Sequence, residues 1–258
     1  MLLETHLKQL KTRQINNEDL EHLLVQHSYQ ILQWWPYVRQ NFNWREFSKL
    51  LCTWCSKYFD MWFDKNKFCY ETGSKALCIY CPEEFDKWWD PQRFDWETAS
   101  DYLFSISDKF DIWFEELVKR PDIYRSHLNY LAEYFPELFD VWWKPNLITP
   151  TTWIGIAFFK NLKHKFTQWW NPKCVQYSAT ILEILVKDYI DYVDMWLGPC
   201  IENLYISDVI KILSDKLPRE KWLPYILTSN VLPEYVKILL KSMSPEDLEQ
   251  FKLSALLE

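Results

Sequence analysis

A tryptophan returns every 25 to 29 residues along most of this 258-residue chain. The clearest copies are FDMWF (59–63), FDKWWDP (85–91), FDIWF (110–114) and FDVWWKP (139–145). Weaker copies are QWWP (33–36), FTQWWNP (166–172), VDMWLGP (193–199) and KWLP (221–224). Taking the first Trp of each copy gives eight markers: Trp34, Trp62, Trp88, Trp113, Trp142, Trp169, Trp196 and Trp222. A step this constant, sustained eight times, marks a tandem-repeat architecture in which each unit buries its apolar face only against its neighbours.

The unit has a two-part grammar. After the Trp pair, usually with a Pro, comes an aromatic pair such as Phe42/Trp44, Phe68/Tyr70 or Phe94/Trp96. An amphipathic run then leads into the next Phe-Asp-x-Trp. In residues 50–63, Leu51, Trp54, Cys55, Tyr58, Phe59, Trp62 and Phe63 fall at the spacing of one helical face. The Pro after the Trp pair is expected to end that segment. Only three Gly (Gly73, Gly155, Gly198) punctuate the chain, against thirteen Pro. Hairpin-rich β folds and phosphate-cradling loops lean on Gly, so its scarcity points to helices joined by short turns.

The fold expected is all-α: a right-handed α-solenoid, a superhelix of the HEAT/TPR kind, with about eight repeats of roughly 27 residues. Residues 1–30 would form an N-terminal cap, 31–225 the repeats and 226–258 a C-terminal cap, in one continuous domain. At ~10 Å per helical layer, eight units would make a curved rod on the order of 80 Å long. Asn17 reads as the N-cap of a helix beginning Glu18–Asp19, and Ser244-Pro245 as the start of the last one.

The repeat resembles a group of tandem-repeat proteins from bacterial and phage genomes in which FDxWWDPxxFxW recurs. The resemblance covers residues 33–200 and is best at FDKWWDPQRFDW, 85–96. After residue 141 the acidic WWDP becomes WWKP and WWNP. The resemblance implies repeat architecture and a microbial or mobile-element origin, and supplies no catalytic residues.

Three features carry candidate function. The first is Cys52-x-x-Cys55 with Cys78-x-x-Cys81, which has the look of a zinc ribbon. The simpler reading is packing. Both pairs sit ten and seven residues before their markers, where the next units place Leu103/Ile106 and Ala132/Phe135. A redox pair is the third option.

The second is the Asp two residues before a marker: Asp60, Asp86, Asp111, Asp140 and Asp194. Such an acid caps a helix or accepts an indole N–H. Alternatively, it forms an outward ladder facing a basic partner.

The third is charge distribution. The net charge is −7. Residues 83–116 hold eleven acids against Lys87, Arg93 and Lys109. Within that stretch, Glu83, Glu84, Asp86, Asp90, Asp111, Glu115 and Glu116 are the candidate protein-binding acids. Residues 141–182 contain no acid, and Lys144, Lys160, Lys163, Lys165 and Lys173 stand among five Trp. Lysines for phosphates and free rings for base stacking are the means of single-stranded nucleic-acid binding.

No HExxH, GxSxG, GxxxxGK[ST] or GxGxxG spacing is present. The chain therefore reads as a binder rather than an enzyme, with no cofactor. The leading expectation is a protein-protein scaffold, inhibitor or accessory subunit whose acidic repeats meet a basic or nucleic-acid-processing protein. The alternative is RNA or DNA binding through 141–182. Reduced cysteines without a secretory signal or membrane span point to an intracellular, cytoplasmic protein.

Overall fold

The computed structural model describes residues 16–228, leaving aside the side chains at 206–208, 219, 225, 226 and 228. Of the caps expected at 1–30 and 226–258, residues 1–15 and 229–258, including Ser244-Pro245, lie outside the described residues. The described chain is all-helical; its one extended pairing is an isolated parallel bridge between Ile154 and Val175. It divides into two compact units between Tyr124 and Arg125.

The first unit contains α1 (Asn17–Gln26), α2 (Ile31–Val38), α3 (Trp44–Cys55), α4 (Phe59–Trp62), α5 (Tyr70–Tyr80), α6 (Phe85–Trp88), α7 (Trp96–Ala99) and α8 (Phe110–Val118). Helix α9 (Pro121–Ser126) follows. The second unit continues with α10 (Leu128–Tyr134), α11 (Phe139–Trp142), α12 (Ile156–Asn161), α13 (Phe166–Trp169) and α14 (Ala179–Asp188). It ends with α15 (Val193–Asn203), α16 (Ile206–Lys216) and α17 (Arg219–Thr228). Within the first unit α3 packs on α1 and on α5; within the second, α10 packs on α12, α12 on α14 and α14 on α16. Each of these helices thus meets its counterpart one repeat away.

The repeats share one local geometry. A longer helix ends at a residue with φ near −130° and positive ψ, such as Cys81 (−132°, 38°) or Phe135 (−136°, 47°). A three-residue 3₁₀ turn follows, as at Pro82–Glu84 and Pro136–Leu138. Phe85 and Phe139 then open a single α turn that carries the marker Trp. The turn is held by its rings. Phe59–Trp62, Phe85–Trp88 and Phe139–Trp142 meet edge-on at 5.0, 4.9 and 5.1 Å. Phe85–Trp89 and Phe139–Trp143 stack at 4.8 and 5.5 Å. The expected pairs Phe42/Trp44, Phe68/Tyr70 and Phe94/Trp96 each meet edge-on at 5.2 Å. Edge-on rings set the positive rim of one against the negative face of the other, which gives direction to an otherwise directionless contact. All eight marker Trp are among the most deeply buried side chains.

Three local expectations are corrected. The N-cap of α1 is Asn16, whose side chain accepts from Asp19 N; the cap oxygen must reach the third helical N–H, and Asn17 is already inside the helix. Residues 50–63 are not one helix. The 3₁₀ turn at Ser56–Tyr58 breaks the period, and within α3 the buried face runs through Phe47, Leu51, Cys52 and Cys55, which leaves Trp54 outside it at 47% exposure.

Proline also does not by itself end the marker helix: Pro36, Pro199 and Pro224 lie inside α2, α15 and α17. Where the helix stops, the residue two after the marker contributes a turn. Asp64, Asp90 and Asn171 each accept, through the side chain, from the N–H two residues on (Asn66, Gln92, Lys173). The WWNP variant therefore keeps the chemistry of WWDP at this turn.

Candidate functional site

The core meets its polar requirements from the backbone. Trp34, Trp62, Trp88, Trp113, Trp142, Trp169 and Trp196 each donate the indole N–H to the carbonyl seven residues earlier, at 2.7 to 3.0 Å. The acceptors are the helix-ending residues themselves, and most of their carbonyls also accept an N–H of the following 3₁₀ turn, as Cys81 O does from Glu84 N at 3.1 Å. Trp222 is the exception: its buried Nε1 has no partner.

This corrects the expectation that the recurrent Asp caps a helix or receives the indole. Asp60, Asp86 and Asp140 are 75, 70 and 72% exposed and pair with lysines of the following repeat. Lys87 Nζ lies 2.5 Å from Asp60 and 2.7 Å from Glu84. Lys109 lies 2.6 Å from Asp86, and Lys165 lies 2.7 Å from Asp140. The hydrogen bonds that Lys87 donates to Asp60 and Glu84 raise its pKa, and the one that Lys109 donates to Asp86 raises that of Lys109. Exposed pairs of this kind orient neighbouring repeats more than they stabilise them.

The seven candidate acids separate by use. Asp90 is a turn residue. Glu116 is taken by Lys119 at 2.6 Å and Arg120 at 3.4 Å, and the Lys119 hydrogen bond lowers its pKa. Glu84 and Asp86 face lysines. Glu83, Asp111 and Glu115 are exposed, with Glu115 only loosely approached by Lys119 at 3.7 Å. Asp108, exposed on the turn before α8, belongs to the same sequence stretch and was not singled out by its spacing. Ile112, 43% exposed, lies beside Asp111.

The three bases of the acidic window are all engaged within the unit. Lys87 and Lys109 hold carboxylates, but Arg93 is aimed at carbonyls. It donates to Lys65 O and, at 2.7 Å, to Phe68 O, and lies 4.7 Å from the Tyr70 ring centroid. Arg120 repeats the arrangement: it donates to Pro91 O at 2.9 Å and lies 4.2 Å over the Trp96 ring. These arginines clip one repeat to the preceding one through carbonyls, Arg120 also reaching Glu116 at 3.4 Å. Sequence periodicity missed them, since they stand five and seven residues after their markers.

The lysine stretch is less free than its sequence suggests. Lys165 pairs with Asp140 and Lys163 lies 3.9 Å from Asp188, both acids outside the window. Lys160 and Lys173 are exposed, and Lys144 is half-buried. Trp143 and Trp170 stack on Phe139 and Phe166, and Trp153 alone of the window's five Trp is largely exposed, at 65%.

Cys52, Cys55, Cys78 and Cys81 are all buried, in positions that other repeats fill with Leu, Ile, Ala or Phe. Burial pushes the Cys52 and Cys78 thiols upward and the Cys55 thiol up to about 12. Among the described residues no group of three or more His, Cys, Asp or Glu is placed to hold a metal ion. No described helix is long and apolar enough to cross a membrane. Compared with known protein families, curated proteins and solved structures, the chain has no match.

Proposed function

We propose that this chain is a non-catalytic binding scaffold. Its Trp-layered repeats stack as an α-solenoid, and the acidic surface of the third and fourth repeats docks a basic protein. The role this fits is that of an accessory or inhibitory subunit. The observation that carries the reading is the outward placement of the recurrent carboxylates, 70% exposed or more at Asp60, Asp86 and Asp140. The core does not use them, because the indoles bond to backbone carbonyls. The exposed Asp108 and Glu115 stand in the same turn-and-helix segment as Asp111, with the exposed Ile112 next to it in the chain, and the exposed Glu83 stands on the corresponding turn of the preceding repeat. Complementary charge of this kind sets partner choice and association rate.

A recognition role also fits the acid chemistry. A general acid needs a carboxyl pKa raised by burial or a like charge. The shifted carboxylate here, Glu116, is lowered by Lys119. Nucleic-acid binding through 141–182 has less support, since Lys163 and Lys165 face Asp188 and Asp140.

Affinity purification of the tagged chain from its source cells at stepped ionic strength tests the reading. Basic proteins should be retained at low salt and released as the Debye length shortens from ~10 Å towards ~3 Å. Capture of acidic proteins only, or capture indifferent to salt, overturns it.

A further inference from the structure

Four lysines of the first unit hold carboxylates: Lys67 pairs with Asp64, Lys87 with Asp60 and Glu84, Lys109 with Asp86, and Lys119 with Glu116. Lys49 and Lys75, like Lys57 and Lys65, are exposed and, among the described residues, have no carboxylate at ion-pairing distance. Lys65 donates to Trp89 O at 2.6 Å. Lys49 and Lys75 differ from Lys57 and Lys65 in lining one groove together.

The two lysines are 26 residues apart and occupy the same position on the adjacent helices α3 and α5. Both line one groove of about 290 Å³, whose remaining wall includes Ala76, Ile79, Tyr80 and Thr98. Ile79 and Tyr80 are 41 and 44% exposed, so the groove has an apolar side that the fold leaves uncovered. Its acid, Glu71, is held by Arg45 at 3.0 Å. Lys75 Nζ lies 4.4 Å from the Tyr102 ring centroid, which keeps the ammonium near the groove without neutralising it.

We propose that this groove binds an acidic peptide in polyproline-II conformation, with carboxylates at positions i and i+3 on Lys49 and Lys75 and an apolar side chain between them on Ile79 and Tyr80. The spacing supports this occupant. Packed helices lie ~8–10 Å apart. A polyproline-II chain has three residues per turn and rises ~3.1 Å per residue, so i and i+3 share one face ~9 Å apart. A single-stranded nucleic acid fits less well: it carries a charge at every nucleotide, and the groove offers two cations beside one acid, Glu71. The site is separate from the acidic surface proposed above, so the scaffold would hold a basic partner and an acidic segment at different places.

The test is fluorescence anisotropy of tagged Gly-Glu-Leu-Ser-Glu-Gly against the full chain at low salt. The same peptide with both Glu replaced by Gln serves as the control. The Glu peptide should bind saturably and the Gln peptide at least about fivefold more weakly, the scale of two exposed charge pairs. The Lys49→Gln/Lys75→Gln variant should lose the preference for Glu while unfolding at the same temperature as the parent. Tyr80→Ala should weaken both peptides. Equal binding of the two peptides to the parent chain, or no saturable binding, overturns the proposal without recourse to any variant. So do tighter binding of a uridine decamer that displaces the peptide, and lysine-dependent self-association that excludes it. None of these outcomes bears on Glu83, Asp111 or Glu115, so the two sites stand or fall separately.

Discussion

The indole N–H of Trp88 donates at 2.8 Å to the carbonyl of Cys81, the residue that ends the preceding helix. One bond thus satisfies the buried donor of the largest side chain in the repeat, at a carbonyl that also accepts from Glu84 N at 3.1 Å. The same pairing recurs at six other markers and fails at Trp222, whose Nε1 is unpartnered.

Trp88→Phe should therefore destabilise more than Trp222→Phe. Both remove ring volume, but only the first also gives up a buried hydrogen bond, about 0.5–1.5 kcal/mol net, since Cys81 O keeps its bond from Glu84 N. Urea unfolding of the two variants should show that gap. Equal losses would mean that the seven-residue bond contributes nothing beyond packing.

At the turn after the Trp pair, Asp90 works through one side-chain oxygen, which accepts from Gln92 N–H. Asp90→Asn should be nearly neutral, as Asn171 does the same in its own repeat. Asp90→Ala should cost about 1 kcal/mol, the usual value of a local side-chain-to-backbone bond. A chemical-denaturation midpoint measured for each variant decides whether charge or the hydrogen bond matters.

Two glycines make opposite predictions. A Cβ on Gly73 would fall 2.6 Å from Phe68 Cε1 and close to Cζ of the same buried ring. Gly73→Ala should destabilise by about 1–3 kcal/mol through overpacking. Gly198 lies inside α15 with nothing within 4 Å of the added carbon. Gly198→Ala should stabilise by about 0.5–1 kcal/mol, as the unfolded chain loses freedom. Thermal melts of both variants provide the comparison.

Burial raises the Cys55 and Cys200 thiols to about 12, above their value in an unfolded chain. Between that unfolded value near 9 and about 12 the unfolded state releases protons that the folded state keeps. Stability should be full below pH 9 and fall as pH rises through that window, and Cys55→Ala should flatten the fall. In the native chain Cys69, the half-buried one, should react first with a thiol reagent at pH 8. Rapid labelling of all seven would contradict the burial.

The Trp markers were legible because one large ring at a fixed interval leaves few ways to bury it. Their polar partners were not, because the acceptor is a backbone carbonyl and the residue carrying it varies freely from Cys81 to Ile106 to Phe135. Trp54 is not legible because it stands at i+3 from the buried Leu51 yet lies off the α3 face that Phe47, Leu51, Cys52 and Cys55 bury. The acid excess around residues 83–116 was visible at once. Which acids were spoken for was not, since the lysines that meet Asp60, Asp86 and Asp140 lie 27, 23 and 25 residues further on. Arg93 and Arg120 escaped notice because they bind carbonyls, which no sequence pattern displays.

The central claim is that the exposed acids around α8 select a basic partner. It is tested most directly by comparing partner capture by the parent chain with capture by the Glu83→Lys/Asp111→Lys/Glu115→Lys variant. All three residues are exposed, so the variant should unfold at nearly the parent temperature. Loss of the basic partners with folding intact is the expected result. Recovery of the same partners in the same amounts would contradict the account.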